Sequence, residues 1–257
     1  CGRFSHRTTS AYPTHAENPM SRPRSGHFAS LLAACSIASG SIASPVPDLP
    51  AGSCTEGFED VAGLTSRGWI IRNNSDPLGT TNWFQGVPAR FPAQAGPSNS
   101  YASADSDNAS GQFPVLSDWL ITPDIAFAPA ITLSFYTREL ASATDAANHM
   151  EVLLCIDGGS QPCTDPGDES GSVGGFQTSL ADINPDAVQG GYPATWTLVT
   201  ATGLPQSGSG RLAFHYYDLA QGTDPIGTTI GADSVTLTQV PSCPFTDVVF
   251  SNGFDGG

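Results

Sequence analysis

Between residues 132 and 240 the chain alternates apolar and polar positions in short runs, the period of a half-buried β-strand. Residues 132–140 (TLSFYTREL) put Leu133, Phe135 and Thr137 on one face and Ser134, Tyr136 and Arg138 on the other. Residues 195–204 (TWTLVTATGL) set Trp196, Leu198 and Thr200 against Thr197, Val199 and Ala201. In 211–219 (RLAFHYYDL), Leu212, Phe214 and Tyr216 share a face and His215 lies opposite. A β-branched run, 234–240 (SVTLTQV), sets Val235, Leu237 and Gln239 against Thr236 and Thr238. The apolar run 150–157 (MEVLLCID) stops at a Gly-Gly turn. Clusters such as DGGS, SGSG and QGTDP punctuate these runs. The strongest helical candidate, 141–148 (ASATDAAN), is small, polar and short. Many short strands between long polar loops predict an all-β, antiparallel two-sheet sandwich. No linker-like composition divides it, so one domain is expected over 54–240, followed by a tail, 241–257.

Upstream, the pattern changes to that of a targeting segment. Met20 precedes a basic stretch with Arg22 and Arg24, then the apolar, small-residue run FASLLAACSIASGSIAS. Ser41-Ile42-Ala43 has the small-x-small form of a cleavage site. The expectation is upstream translation or a tag over 1–19, a signal peptide over 20–44 and a linker over 45–53. The rival reading takes Leu32-Ala33-Ala34-Cys35 as a lipobox, with the protein anchored as a lipoprotein through Cys35. No other apolar run approaches the ~18 residues of a membrane span. Either way, a location outside the cell or on its outer envelope is expected.

Charge narrows the partners. All nine cations are Arg, none is Lys, and 24 acids bring the net charge to -15. Such a surface repels phosphate backbones and anionic lipid, which excludes nucleic-acid and peripheral-membrane binding as expected functions. Thirteen Phe, six Tyr and four Trp supply a core despite 28 Gly and 21 Pro, so the chain folds. Beyond residue 44 four cysteines remain, which in an exported chain read as two disulfides. Of the three pairings, Cys155–Cys163 with Cys54–Cys243 is favoured: one closes a short hairpin-like segment and the other joins the ends of the domain.

Four segments in order resemble the choice-of-anchor J domain family, related to cleaved-adhesin modules and more distantly to MAM domains. They are 56–84 (EGFEDVAGLTSRGWIIRNNSDPLGTTNWF), 117–127 (SDWLITPDIAF) with 133–140, 196–204 with 210–218, and 230–237 (IGADSVTL). The most specific piece is DWLITP. Two departures stand out. Ala232-Asp233-Ser234 replaces the family's common paired Asp-Asp or Asp-Asn, and no sorting anchor follows, the chain ending in CPFTDVVFSNGFDGG. The resemblance implies a jelly-roll β-sandwich that is exported, bacterial, non-catalytic and adhesive or ligand-binding, often with structural Ca2+. It also implies that Glu59 on the first strand and Asp233 on the last face each other as metal ligands.

Other candidate chemistry is sparser. Residues 105–108 (DSDN) alternate carboxylates on one loop, so Asp105 and Asp107 are candidate calcium ligands, though the Gly and distal Glu of an EF-hand are missing. The competing reading of all these acids, and of 165–169 (DPGDE), is a solvated coat. A hydrolytic triad needs a base, and His149 and His215 are the sole histidines after residue 44. Neither lies in a motif and no G-x-S-x-G occurs, so no enzyme is expected. His215 reads as structural and His149 as exposed. For every tryptophan the core reading leads, with Trp119 and Trp196 at the family's core positions. Trp83, in a polar stretch, comes nearest to a sugar-stacking platform and is the candidate ligand-binding residue. The expected function is adhesion or carbohydrate/protein binding, with a glycan or surface protein as partner. The alternatives are a secreted hydrolase using buried carboxylates and a purely structural envelope or matrix protein.

Overall fold

Two antiparallel sheets face each other in the computed structural model, which describes residues 52–112, 114–141, 147–219 and 227–245. All of these belong to one unit, Pro47–Gly257. The expected upstream segment, the expected signal peptide with Cys35, most of the expected linker and the end of the tail lie outside the described residues, as does 142–146 of the helical candidate.

The strands are β1 Gly52–Glu56, β2 Ile70–Asn73, β3 Phe84–Gln85, β4 Ala102–Asp105, β5 Val115–Ile121, β6 Ile125–Ala126, β7 Thr132–Glu139, β8 Met150–Ile156, β9 Thr178–Ile183, β10 Thr197–Ala201, β11 Ser209–Leu219 and β12 Thr229–Val240. The first sheet runs β10-β7-β12-β4-β3, with β1 also paired to β12. The second runs β2-β5-β11-β8-β9, with β6 also on β11. The expected two-sheet sandwich is the fold.

The alternation sets the core. Leu133 and Phe135 of β7 meet Leu212, Phe214 and Tyr216 of β11, all buried, and Phe135 packs edge-on against Phe214 at 5.1 Å. β10 is an edge strand that turns Val199 and Ala201 inward and leaves Leu198 53% exposed. In β12, Ile230 and Ala232 point inward, and so do Val235 and Leu237, although the two pairs have opposite parity. A bulge between Asp233 and Thr236, with Ser234 at φ 52°, inserts the extra residue that reverses it.

The packed unit is wider than the expected 54–240. Gly52 and Ser53 belong to β1, and Phe245 is buried against Trp69 at 5.4 Å. Disulfides join Cys54 to Cys243 and Cys155 to Cys163, each with Cα atoms 5.4 Å apart.

Both outer faces are partly covered. Over the second sheet, the loop after β8 buries Cys163 and Phe176 on Trp119, Ile121, Leu153, Cys155 and Ala213. Arg72 anchors this loop through Asp165 at 2.8 Å and through Asp168, so part of the 165–169 acidic run is paired. Over the first sheet, Phe91 stacks on Tyr101 at 4.9 Å and Trp196 meets both edge-on at 5.6 Å. They lie above Gly231, where a Cβ would come within 2.9 Å of Phe91 and Trp196.

Candidate functional site

Glu59 follows β1 through a tight turn in which Phe58 adopts φ 55° and its N–H donates to Glu56 Oε1 at 2.9 Å. Gln85 braces this turn against a later loop. Its Nε2 donates to the carbonyls of Phe58 at 2.8 Å and Asn99 at 2.6 Å, and its Oε1 accepts from Val61 N–H at 2.9 Å. The later loop, 93–100, closes on itself through Ala93 N–H to Ser98 O at 2.9 Å and Ser100 N–H to Pro97 O at 2.8 Å.

Gly96 sits in that loop at φ 73°, where glycine is favoured. A Cβ there would meet Ser100 Oγ at 3.4 Å and Glu59 Oε1 at 3.6 Å, so the carboxylate and the hydroxyl border one small cradle. Ser100 Oγ is buried and has no hydrogen-bond partner. Asp233, fully buried at the β12 bulge, reaches the same loop: its Oδ2 accepts from Gln94 N–H at 2.8 Å and Ala95 N–H at 3.3 Å. Burial pushes the Asp233 carboxyl up from the usual carboxylate range, against the pull of those N–H groups. Asp233 Oδ1 is held in turn by Ser234 Oγ at 3.2 Å. Glu59, expected on the first strand facing Asp233, lies beyond the end of β1, so what the loop gathers beside Ser100 is the Glu59 carboxylate, with Asp233 bound to its backbone. Carboxylate and hydroxyl oxygens are the donor type that suits Ca2+.

Asp105 and Asp107 do not form a second donor pair. The Asp105 carboxylate turns back to cap its own 3₁₀ turn, accepting from Asp107 N–H at 3.1 Å and Thr81 Oγ1 at 3.0 Å. Arg90 neutralises it at 2.8 Å. Asp107 is exposed, with its backbone carbonyl taken by Thr80 and Thr81 N–H.

Trp83 corrects the sequence-based expectation as well. It is 4% exposed within the main core, because the alternation entering β3 turns its indole inward, so it offers no open face to a sugar. The tryptophan that reaches the surface is Trp196, assigned above to the core. It stands half-buried at the start of the edge strand β10, with Nε1 donating to Pro92 O at 2.8 Å. Arg138 lies 6.0 Å from its ring centroid and 4.5 Å from that of Phe91. The available sequence signal was the polar surround of Trp196 (PATWT), weaker than the family position that suggested core.

Each histidine sits beside a carboxylate, His215 by Glu151 and His149 by Asp182. Ser117 Oγ lies 3.0 Å from His215 Nε2, and His215 Nδ1 lies 3.4 Å from Glu151 Oε2. That order is the order of a hydrolytic triad, but Ser117 is fully buried and His215 is 2% exposed. Trp119 Nε1 donates to Ser117 Oγ at 3.1 Å, and the indole stacks on the imidazole at 3.7 Å. A nucleophile sealed in this way cannot meet a substrate. Burial holds the His215 pKa below the usual histidine value, so the ring is neutral. His149, expected to be exposed, is 9% exposed. The buried carboxyl of Asp118 is sealed too, accepting from Trp119 N–H at 3.1 Å and from Asn108 Nδ2.

No protein-family model matches the chain, and no curated protein matches it. Among solved structures it is similar to a cleaved adhesin domain of Lys-gingipain from Porphyromonas gingivalis, at 22% identity and TM-score 0.43, covering 72% of this chain and 97% of that one. A second such domain of the same protein gives 21% identity and TM-score 0.44, covering 73% and 98%. A xylan-binding domain from Paenibacillus barcinonensis gives 13% identity and TM-score 0.36, covering 76% and 99%. Likenesses at this level carry no argument about what the chain binds.

Proposed function

We propose that this chain is an exported, non-catalytic β-sandwich module that binds a neutral glycan at or outside the cell envelope, with calcium ordering its binding face. One observation carries the reading: a single stretch of chain, 86–100, links the oxygen-lined cradle to the half-exposed aromatic face. At one end lie Glu59, Ser100 and Asp233, which would hold the ion. At the other, Phe91 and the Pro92 carbonyl fix the ring of Trp196 beside Arg138. Calcium, when bound, would supply positive charge to the carboxylate and hydroxyl oxygens that border this loop.

The chain's own residues do the rest. Asp233 fastens residues 94 and 95, and Gln85 fastens residue 99, so the loop is ordered from beneath. Trp196 offers an apolar ring surface for stacking and Arg138 offers donors for hydroxyl groups. The net charge of -15 disfavours sulfated or other polyanionic glycans. The two disulfides and the leader-like segment 20–44 support export.

Affinity electrophoresis through gels containing a panel of neutral polysaccharides tests the reading. Retardation by at least one of them is expected, weakened about tenfold or more in Trp196→Ala, in line with the loss of a central aromatic contact. If none retards the wild-type protein, the glycan reading falls and a surface protein becomes the partner to seek. If Trp196→Ala migrates like wild type, the binding face lies elsewhere.

A further inference from the structure

Strand pairing on the second sheet brings together three metal-ligating side chains that sequence reading kept apart. Glu151 of β8 stands opposite Asp182 of β9 on one side and His215 of β11 on the other. His149, two residues before Glu151, projects on the same face. A nitrogen of His149 and carboxylate oxygens of Glu151 and Asp182 all lie within 4.8 Å of one another. His149 Nε2 is 2.8 Å from Asp182 Oδ1.

We propose that His149, Glu151 and Asp182 form a binding site for a divalent transition ion of the zinc class. Imidazole and carboxylate donors at about 2.0–2.2 Å are characteristic zinc ligands. His149 Nε2 and Asp182 Oδ1 already face each other at 2.8 Å, and the ion would be held between these two atoms and Glu151. Three protein donors leave coordination positions for water on the side where Asp182 is exposed. The two carboxylates balance a dication. The described arginines are committed elsewhere: Arg67 to Glu56, Arg72 to Asp165 and Asp168, Arg90 to Asp105, Arg138 to Ala194 O and Arg211 to Thr122 O.

The surrounding groups hold the three ligands in place. Trp119 Nε1–H donates to Ser117 Oγ, Ser117 Oγ shares a hydrogen bond with His215 Nε2 at 3.0 Å, and His215 Nδ1 lies 3.4 Å from Glu151 Oε2. Such an outer partner orients a ligating carboxylate. On the other side, Asn184 Nδ2 donates to Asn148 O at 2.7 Å, tying the residue before His149 to the end of β9. Asn148 is itself fixed by Tyr216 Oη at 2.7 Å and by Glu139 Oε2 at 2.7 Å. An ion here would clamp β9, the edge strand, onto β8. This site shares no residue with the Glu59 cradle, and its soft-edged donor set suits a different metal.

Titration of the full, disulfide-bonded chain with ZnCl2, followed by calorimetry, tests it, and Co2+ absorption gives a second readout of ligand type. The expected result is one zinc per chain at this site, with affinity falling at least tenfold in His149→Ala and in Asp182→Asn and staying unchanged in Glu59→Gln. Asp182 is partly exposed, so Asp182→Asn keeps the test decisive if His149→Ala unfolds, as judged by circular dichroism. Absence of zinc uptake by the folded wild type overturns the proposal. So does uptake that survives both substitutions at wild-type strength.

Discussion

Among the described residues Asp118 has no cation beside it; its neighbours are the Trp119 N–H, Asn108 and the repelling charge of Asp105. Burial therefore holds its carboxyl well above the usual range. Between about pH 4 and that raised pKa, the folded chain keeps a proton that the unfolded chain releases, so stability falls as pH rises through the window. Burial shifts Glu139 and Asp218 the same way. His215, whose pKa burial lowers, slopes the other way below the ordinary histidine range, so the test is a difference between two proteins. In calcium-free buffer the thermal midpoint of wild type relative to Asp118→Asn is expected to fall from about pH 5 to about pH 8. A relative midpoint that rises over that range would contradict this account of Asp118. Phe135 gives the complementary apolar case. It is fully buried against Phe214, so Phe135→Ala should cost about 3–5 kcal/mol in denaturant unfolding. A loss below about 1 kcal/mol would mean that the two sheets do not depend on this contact.

At the scale of elements, the strands with clean alternation were legible and those set by partners were not. β7 and β11 carry their inward faces in the sequence because one side is buried and the other is not. β4 (ASAD) and β9 (TSLADI) carry little apolar signal, and neighbouring strands decide them. The β12 bulge was invisible for another reason: Val235 and Leu237 read as a regular strand, and only the count against β7 reveals the extra residue. That bulge places Asp233 beneath loop 93–100, so part of the candidate site hung on it. Trp83, the candidate for an open ring, is buried as the leading core reading had it, and Trp196 is half-buried, because loop polarity does not tell which way a ring points. The histidine cluster was illegible because it arises from strand order, which joins residues 149, 182 and 215 across long connections. The disulfides act at the same scale. Cys54–Cys243 closes a loop of 189 residues and Cys155–Cys163 one of 8. By loop-closure entropy, Ser replacement of the first pair should cost about 5 kcal/mol and of the second about 2–3 kcal/mol. Chemical denaturation of the two double variants checks the order, and a larger loss from the short loop would contradict the entropic argument.

Across the whole molecule, an acidic sandwich without lysine holds its loops by fixed pairings: Arg72 under the loop after β8, Gln85 and Asp233 under loop 93–100. The covered outer faces then present side chains from ordered loops rather than from bare sheet. The central claim is that calcium completes the ordering at Glu59, Ser100 and Asp233, and the most direct measurement is the thermal midpoint of the oxidised protein in millimolar CaCl2 and in EDTA. An ion bound only by the folded state at a hundredfold excess over its Kd adds about 2.7 kcal/mol. For a domain of this size that is a rise of about 5–10 °C. The account predicts such a rise, lost in Glu59→Gln and in Asp233→Asn. A midpoint that is the same with calcium and with EDTA would contradict it, leaving the cradle as a polar loop joint and the acids as a solvated coat.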